Sequence, residues 1–212
     1  RDINSYSGGG TTWSDLVKSN DGTLTNSPSF DSSEYFFTFD GSNDFVDFDT
    51  NPFSNIGSTS YTISQWINMV ATSGTFDRSV GVYIDANNWL QILWTNHSGN
   101  GWNFACVDGG TKRMIGFDEG DSTSADVWFC ITAVWDAGAD SVAIYKNAIQ
   151  QSKAYDGQAY EGGSTTGFNI ARRPDGTGPL NARIATTIIY DRALSAGEVL
   201  QNYNAQKERF GY

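Results

Sequence analysis

Hydrophobic residues fall along this chain in short runs rich in Val, Ile, Thr and aromatics, and Gly, Asn and Asp break them about every ten residues. That spacing predicts an antiparallel sandwich. The clearest predicted strands are Tyr35 to Phe39, Tyr61 to Val70, Val80 to Ile84, Trp89 to Trp94, Trp102 to Val107, Lys112 to Phe117, Val127 to Trp135, Ser141 to Lys146 and Ala182 to Tyr190. Asp85-Ala86-Asn87-Asn88, Asp108-Gly109-Gly110 and the stretch Asp136 to Asp140 separate successive strands with residues that tolerate turn geometry, so these neighbours are predicted hairpins. One segment reads as a helix, over residues 195–208. Ser195 caps it, Glu198 three residues on completes a capping box, and Leu194 with Val199 forms a hydrophobic staple. Val199, Leu200 and Tyr203 then supply an apolar stripe to dock on the sandwich. No repeat or proline-rich linker divides the chain, so residues 1–212 read as one domain. Residues 1–34 are polar and weakly patterned, and are expected to wrap the sandwich as one strand plus loops.

Composition narrows the class. With 39% hydrophobic and 14% aromatic residues spread along 212 positions, the chain has the material for a sizeable core. A net charge of -11 with only 13 Lys and Arg leaves little to neutralise phosphates, which argues against nucleic acid and anionic membrane surfaces as partners. No apolar run approaches the roughly 20 residues that span a bilayer. The chain opens at Arg1 without an initiating Met, as a processed product or part of a longer polypeptide would. Cys106 and Cys130 lie in two strand-like runs and could meet across a sheet as a disulfide or fill a core as free thiols; free thiols are the favoured reading, because two cysteines make no disulfide scaffold.

Several segments are more specific. From Phe39 the chain reads FDGSNDFVDF, later YTISQWI, VWFCITAVWD and VAIYKNA, and it closes with IIYDRALSAGEVLQNYNA. In that order they resemble the laminin G-like jelly-roll family of the concanavalin A-like lectin and glucanase superfamily, from SGGGTTWSDL at Ser7 to the final helix. The resemblance implies an all-β fold: a two-sheet antiparallel jelly-roll sandwich with one short C-terminal helix. The IYDRALS ending, followed by NYNAQKERFG, resembles versions in structural proteins of tailed bacteriophages, including fibre and capsid-decorating components; bacterial surface proteins carry similar domains. In the wider family a strand reading Ile-Asp-Glu supports a structural calcium together with the turn that here is Asp40-Gly41. This chain has Ile184-Ala185-Thr186 at the matching place. Asp40 and Asp44 remain the candidate metal ligands, since calcium takes carboxylates and carbonyls, against the alternative that such residues simply hydrogen-bond their own turn. No other cofactor is implied.

Glucanases of the superfamily carry a Glu-x-Asp-x-x-Glu strand whose alternation projects the carboxylates into one cleft. The five Glu residues here, Glu34, Glu119, Glu161, Glu198 and Glu208, are scattered, and Asp118-Glu119-Gly120-Asp121 reads as a solvated turn. His97 is the only histidine and no nucleophile motif accompanies it. Its polar neighbourhood is bounded by tryptophans, and Trp94, Asn96, His97, Asn100 and Trp102 together offer an aromatic face and hydrogen-bonding groups of the kind that hold a pyranose. The competing reading is that both tryptophans seal the edge of the sandwich. Arg172 and Arg173 form a second candidate, able to fork onto acidic sugars or a partner's carboxylates, or else to pair with a nearby Asp. The expected function is therefore non-catalytic recognition or decoration at a virion surface, with cell-surface glycans or neighbouring virion subunits as partners. A purely structural subunit, a bacterial adhesin or a secreted lectin are the alternatives, and a polysaccharide hydrolase or lyase ranks below them.

Overall fold

The computed structural model describes residues 5–53, 55–72, 76–96, 101–118, 127–154 and 163–212. Its strands are β1 (Thr12–Trp13), β2 (Gly22–Thr25), β3 (Ser29–Asp31), β4 (Phe36–Asp40), β5 (Phe45–Phe48), β6 (Tyr61–Ala71), β7 (Phe76–Asp85), β8 (Asn88–Thr95), β9 (Gly101–Asp108), β10 (Thr111–Asp118), β11 (Phe129–Asp136), β12 (Ser141–Lys146), β13 (Ile149–Gln151), β14 (Gly167–Ile170) and β15 (Asn181–Tyr190). Helix α1 (Ala196–Asn204) and a 3-10 turn (Lys207–Phe210) follow. An eight-stranded sheet runs β1-β2-β5-β14-β7-β8-β9-β10 and a seven-stranded sheet runs β13-β12-β11-β6-β15-β4-β3. All the pairings are antiparallel, as in a jelly-roll sandwich.

Alternation along the strands builds the core. In β9 the even positions Trp102, Phe104 and Cys106 enter the main apolar cluster, and they meet Leu90, Ile92 and Trp94 of β8 in register. Across the sandwich Phe129, Ile131, Ala133 and Trp135 of β11 face them. The three predicted hairpins are β7-β8, β9-β10 and β11-β12.

The N-terminal segment departs from expectation. It holds three short strands, β1 and β2 at the edge of the eight-stranded sheet and β3 at the edge of the other, where one had been expected. Runs of two to four residues are too short to show a period. Aromatic contacts tie this segment down: Tyr6 lies 4.8 Å from Phe30 and 4.9 Å from Phe37, and Trp13 lies 5.0 Å from Phe37, ring centre to ring centre.

Helix α1 starts as read, with the Ser195–Glu198 capping box formed and Leu194 and Val199 buried together. Leu200, expected to dock, is 49% exposed. Tyr203 and Phe210 turn inward instead, and both stack on Trp66 of β6, at 5.6 and 4.0 Å. Cys106 lies inside the sandwich, whereas Cys130 lies on the outer face of the seven-stranded sheet beside Ser64 and Thr132, so the two thiols stand unpaired on different faces.

Candidate functional site

The tryptophans that bound the polar segment are not an exposed platform. Trp94 and Trp102 are cross-strand partners on the inner face of the eight-stranded sheet, 5% and 0% exposed, and Trp102 packs edge-on against Phe129 at 5.8 Å. This corrects the expectation that their rings stack on a ligand: strand register turns both inward, and a ring with no exposed face cannot hold a sugar. Asn96 is exposed just past the end of β8. His97, Asn100, Glu119, Asp121 and Glu161 lie outside the described residues.

The arginine loop is also committed to the fold. Positions Thr23, Asp47, Asn169, Gly81, Gln91, Ala105 and Met114 form one row across the outer face of the eight-stranded sheet. The loop 171–180 lies over its centre, because Gly81 has no side chain there: a Cβ would stand 2.7 Å from the Arg172 carbonyl oxygen and 2.8 Å from Arg173 Cα. Arg173 donates through Nε and Nη2 to both carboxylate oxygens of Asp175, at 3.2 and 2.7 Å, and each side chain is 12% exposed. Burial works to raise the Asp175 pKa, but the hydrogen bonds from Arg173 and Thr177 outweigh it and hold the carboxyl at about 2. Arg172 packs its guanidinium over Phe45, 3.1 Å from the ring centre, with Nε buried and unpartnered. Beneath them Arg78, 5% exposed, donates to Gln91 at 2.8 Å. Its pKa falls to about 10, chiefly through burial and then through the nearby charge of Arg173. The expectation that Arg172 and Arg173 fork onto a ligand is therefore corrected: the fork of Arg173 is closed by its own loop.

Asp40 and Asp44 are both engaged within their own turn. Asp40 Oδ1 accepts the backbone N–H groups of Ser42 and Asn43, at 2.8 and 3.3 Å, and Asp44 Oδ2 accepts that of Asp40. Burial, then the charge of Asp40, raises the Asp44 pKa. Among the described residues no third His, Cys, Asp or Glu groups with these two carboxylates, which are occupied by backbone N–H groups of their own turn. Nor does a family acid at position 185 belong to this site. Asp40 pairs with Asn181, and Ala185 sits in a bulge four positions along β15, roughly 13 Å away at the usual strand rise.

One cleft was not anticipated from the sequence. It holds about 250 Å³ and is lined by Glu34, Phe36, Trp128, Arg209 and Phe210, at the outer face of the seven-stranded sheet. The rings of Phe36 and Phe210 flank Trp128 at 5.5 and 5.2 Å, and all three are half-buried. Three segments converge to build it. The β3–β4 turn is pinned by Asp31, whose Oδ1 accepts from Ser33 N, Ser33 Oγ and Glu34 N, and Tyr35 completes it at φ 60°. Arg209 Nη2 donates to the carbonyls of Glu34 and Tyr35 at 2.6 and 2.8 Å, which ties the C-terminal turn to that turn. The Tyr212 hydroxyl donates to the Trp128 carbonyl, fixing the entry to β11. Glu34 and Arg209 are exposed at the rim, and among the described residues no hydrogen bond or ion pair ties up the Glu34 carboxylate. The result is a braced aromatic wall with one acid and one guanidinium at its edge.

Solved structures with the same fold include receptor-binding domains of botulinum neurotoxins. The domain of the C/D mosaic serotype is 14% identical with a TM-score of 0.62, covering 91% of this chain and 49% of that one. The serotype D ligand-binding domain in complex with N-acetylneuraminic acid is 14% identical with a TM-score of 0.64 and the same coverage, 91% and 49%. A type C toxin structure, from work describing cell entry as dependent upon interaction with two ganglioside molecules, is 15% identical with a TM-score of 0.58, covering 96% and 52%. This chain spans about half the length of those chains, and at such identity the likeness shows the fold alone. No curated protein sequence matches. A family model does match, over residues 40–200, and by that match the chain belongs to the concanavalin A-like lectin/glucanases superfamily, as a Laminin_G_3 domain.

Proposed function

We propose that this domain recognises glycans without catalysing their cleavage, and that it does so as a surface module of a virion. The observation that carries the binding reading is the aromatic cleft. Trp128, flanked by Phe36 and Phe210, offers half-buried apolar ring surface, while Glu34 and Arg209 offer an acceptor and a donor at the rim, the mixture a pyranose requires. Its walls are held by the Asp31 turn and by Arg209 before any ligand arrives, which lowers the ordering cost of binding. Toxin domains of which about half the length shares this fold are described with N-acetylneuraminic acid and gangliosides, which lends support to a glycan as partner. Non-catalytic action is favoured because, among the described residues, Glu34 is the one acid lining the cleft, whereas glycoside hydrolysis works with two carboxylates across a sugar. The virion placement rests on the IYDRALS and NYNAQKERFG ending, which resembles phage structural proteins.

The test is binding of the purified chain to a glycan panel and to host cells, beside its Trp128→Ala and Phe36→Ala variants. Loss of an aromatic anchor should weaken binding by about 1–2 kcal/mol, roughly 5- to 30-fold, with the melting transition still cooperative. Incorporation into particles with no glycan signal from the unmodified chain would move the assignment to a purely structural subunit. New reducing ends in treated polysaccharide would make it an enzyme.

A further inference from the structure

We infer that the cleft selects a sugar bearing an N-acetyl group over its plain hydroxyl counterpart, with the acetamido group seated at Trp128 between Glu34 and Arg209. This rests on the glycan-binding reading and names the ligand class of the same site.

The arrangement of charge is the first argument. The Arg209 guanidinium sits against the backbone of Glu34, since its Nη2 donates to the Glu34 carbonyl at 2.6 Å and to that of Tyr35 at 2.8 Å. Acid and cation therefore share one short stretch of the rim, yet the Glu34 carboxylate forms no ion pair with Arg209. A polar group lying between two such opposite charges is oriented by both. The secondary amide of an acetamido group has the dipole of a peptide unit, about 3.5 D, well above that of an alcohol. Its N–H donates to Glu34, which can only accept when ionised, and the positive charge of Arg209 draws its carbonyl end.

The shape of the aromatic surface is the second argument. Phe36 and Phe210 stand 5.5 and 5.2 Å from Trp128 and are tilted to it by 59° and 51°, so the three rings do not form one flat platform. A flat pyranose face meets little more than the indole, whereas a small apolar group entering among inclined rings meets more than one of them. Guanidiniums also stand over the two flanking rings, Arg183 at 5.8 Å from the Phe36 centre and Arg209 at 4.9 Å from that of Phe210, which makes the indole the centre of the apolar contact. The acetyl methyl group supplies apolar surface there, and a hydroxyl in its place supplies none. Burying one methyl group is worth about a fourfold gain in affinity, and the hydrogen bond to an ionised acceptor adds to it, so the preference is about tenfold.

Binding of the full chain is to be measured against oligosaccharides that differ only at the end residue: N-acetylglucosamine against glucose, and N-acetylgalactosamine against galactose, each with the deacetylated amino sugar as a third member. The expected result is that at least one N-acetylated end binds about tenfold more tightly than its hydroxyl counterpart, and more tightly than its amino counterpart. Glu34→Ala keeps the backbone carbonyl that holds Arg209 and should cut the preference to roughly the fourfold share of the methyl group, while Trp128→Ala should remove it. Ends bound equally with and without the acetyl group, with loss in Trp128→Ala, would overturn the ligand class and leave glycan recognition at this cleft standing. Amino ends bound best would overturn it too, since attraction to a carboxylate alone would then explain the binding. A preference for acetylated ends that survives both substitutions would overturn the cleft as its seat. No binding to any glycan would overturn both this inference and the reading beneath it.

Discussion

Replacing Trp102 with alanine separates a core role from a binding role in a single variant. The indole is fully buried, packs edge-on against Phe129 at 5.8 Å and pairs across the strands with Trp94. A buried tryptophan removes about 150–250 Å² from water, worth about 4–6 kcal/mol at 25 cal/mol per Å². Alanine recovers a little of that, and measured Trp→Ala losses in cores run to about 3–5 kcal/mol. One feature lowers the figure: Trp102 Nε1 is buried with no hydrogen-bond partner, so the substitution also removes an unsatisfied donor that costs about 1–3 kcal/mol. The expected net loss is about 3 kcal/mol, or a melting point roughly 6–12 °C lower for a domain of this size. Trp102→Phe keeps most of the packing and deletes the orphan N–H, so it should cost less than about 1.5 kcal/mol. Urea unfolding followed by fluorescence, with glycan or cell binding measured well below the transition, reads both quantities. A Trp102→Ala protein with unchanged midpoint and lost attachment would refute the inward placement of this strand and return the segment to the surface.

Gly81→Ala should destabilise the chain by about 1–3 kcal/mol, since its Cβ meets the backbone of Arg172 and Arg173 and must lift the loop; a neutral result in thermal unfolding would show the loop does not rest there. Asp175 has a folded pKa of about 2, below its unfolded value of 3.8, so its contribution is present above about pH 4 and lost as pH falls toward 2. Asp175→Asn should therefore lower stability at neutral pH and reduce its fall over that acid window, and an acid profile parallel to the unmodified chain would count against the Arg173–Asp175 pair. Chelation should move the melting point by no more than about 2 °C, and a large fall restored by calcium would show that Asp40, Asp44 and neighbouring carbonyls hold a metal after all.

Nine long strands were legible because each carries enough β-branched and aromatic residues to stand apart from its turns. β1, β2, β3, β5, β13 and β14 have between two and four residues, and nothing in so short a stretch distinguishes a strand from a loop that happens to contain an aromatic. The helix start was legible because the Ser195–Glu198 box is local chemistry. The binding residues were harder. Trp94 and Trp102 drew attention because they are close along the chain, yet parity was the better guide: Trp102, Phe104 and Cys106 alternate on one side of β9 and Leu90, Ile92 and Trp94 on one side of β8, which marks the core. The same rule singles out Trp128. Phe129, Ile131, Ala133 and Trp135 take the inward positions of β11, so Trp128 falls on the outward ones, where a large aromatic is not explained by the core. Its partners Glu34, Phe36, Arg209 and Phe210 lie at least 80 positions away along the chain, and no local pattern connects them.

The two outer faces of the sandwich differ in what covers them. Over the eight-stranded sheet Gly81 lets the loop 171–180 settle against the strands, and the Arg173–Asp175 fork keeps it there, so the polar row beneath is spent on the fold. Over the seven-stranded sheet the cover is α1 and the turn after it, anchored where Tyr203 and Phe210 stack on Trp66. That cover ends at Phe210, whose ring meets Trp66 on one side and Trp128 at the cleft. Phe210 thus joins two aromatic sets, one that fastens the chain end and one that remains half-exposed. The C-terminal turn is then both the clasp of the domain and one wall of its candidate site, so a substitution there that loosens the clasp alters recognition through geometry even when it leaves Trp128 untouched.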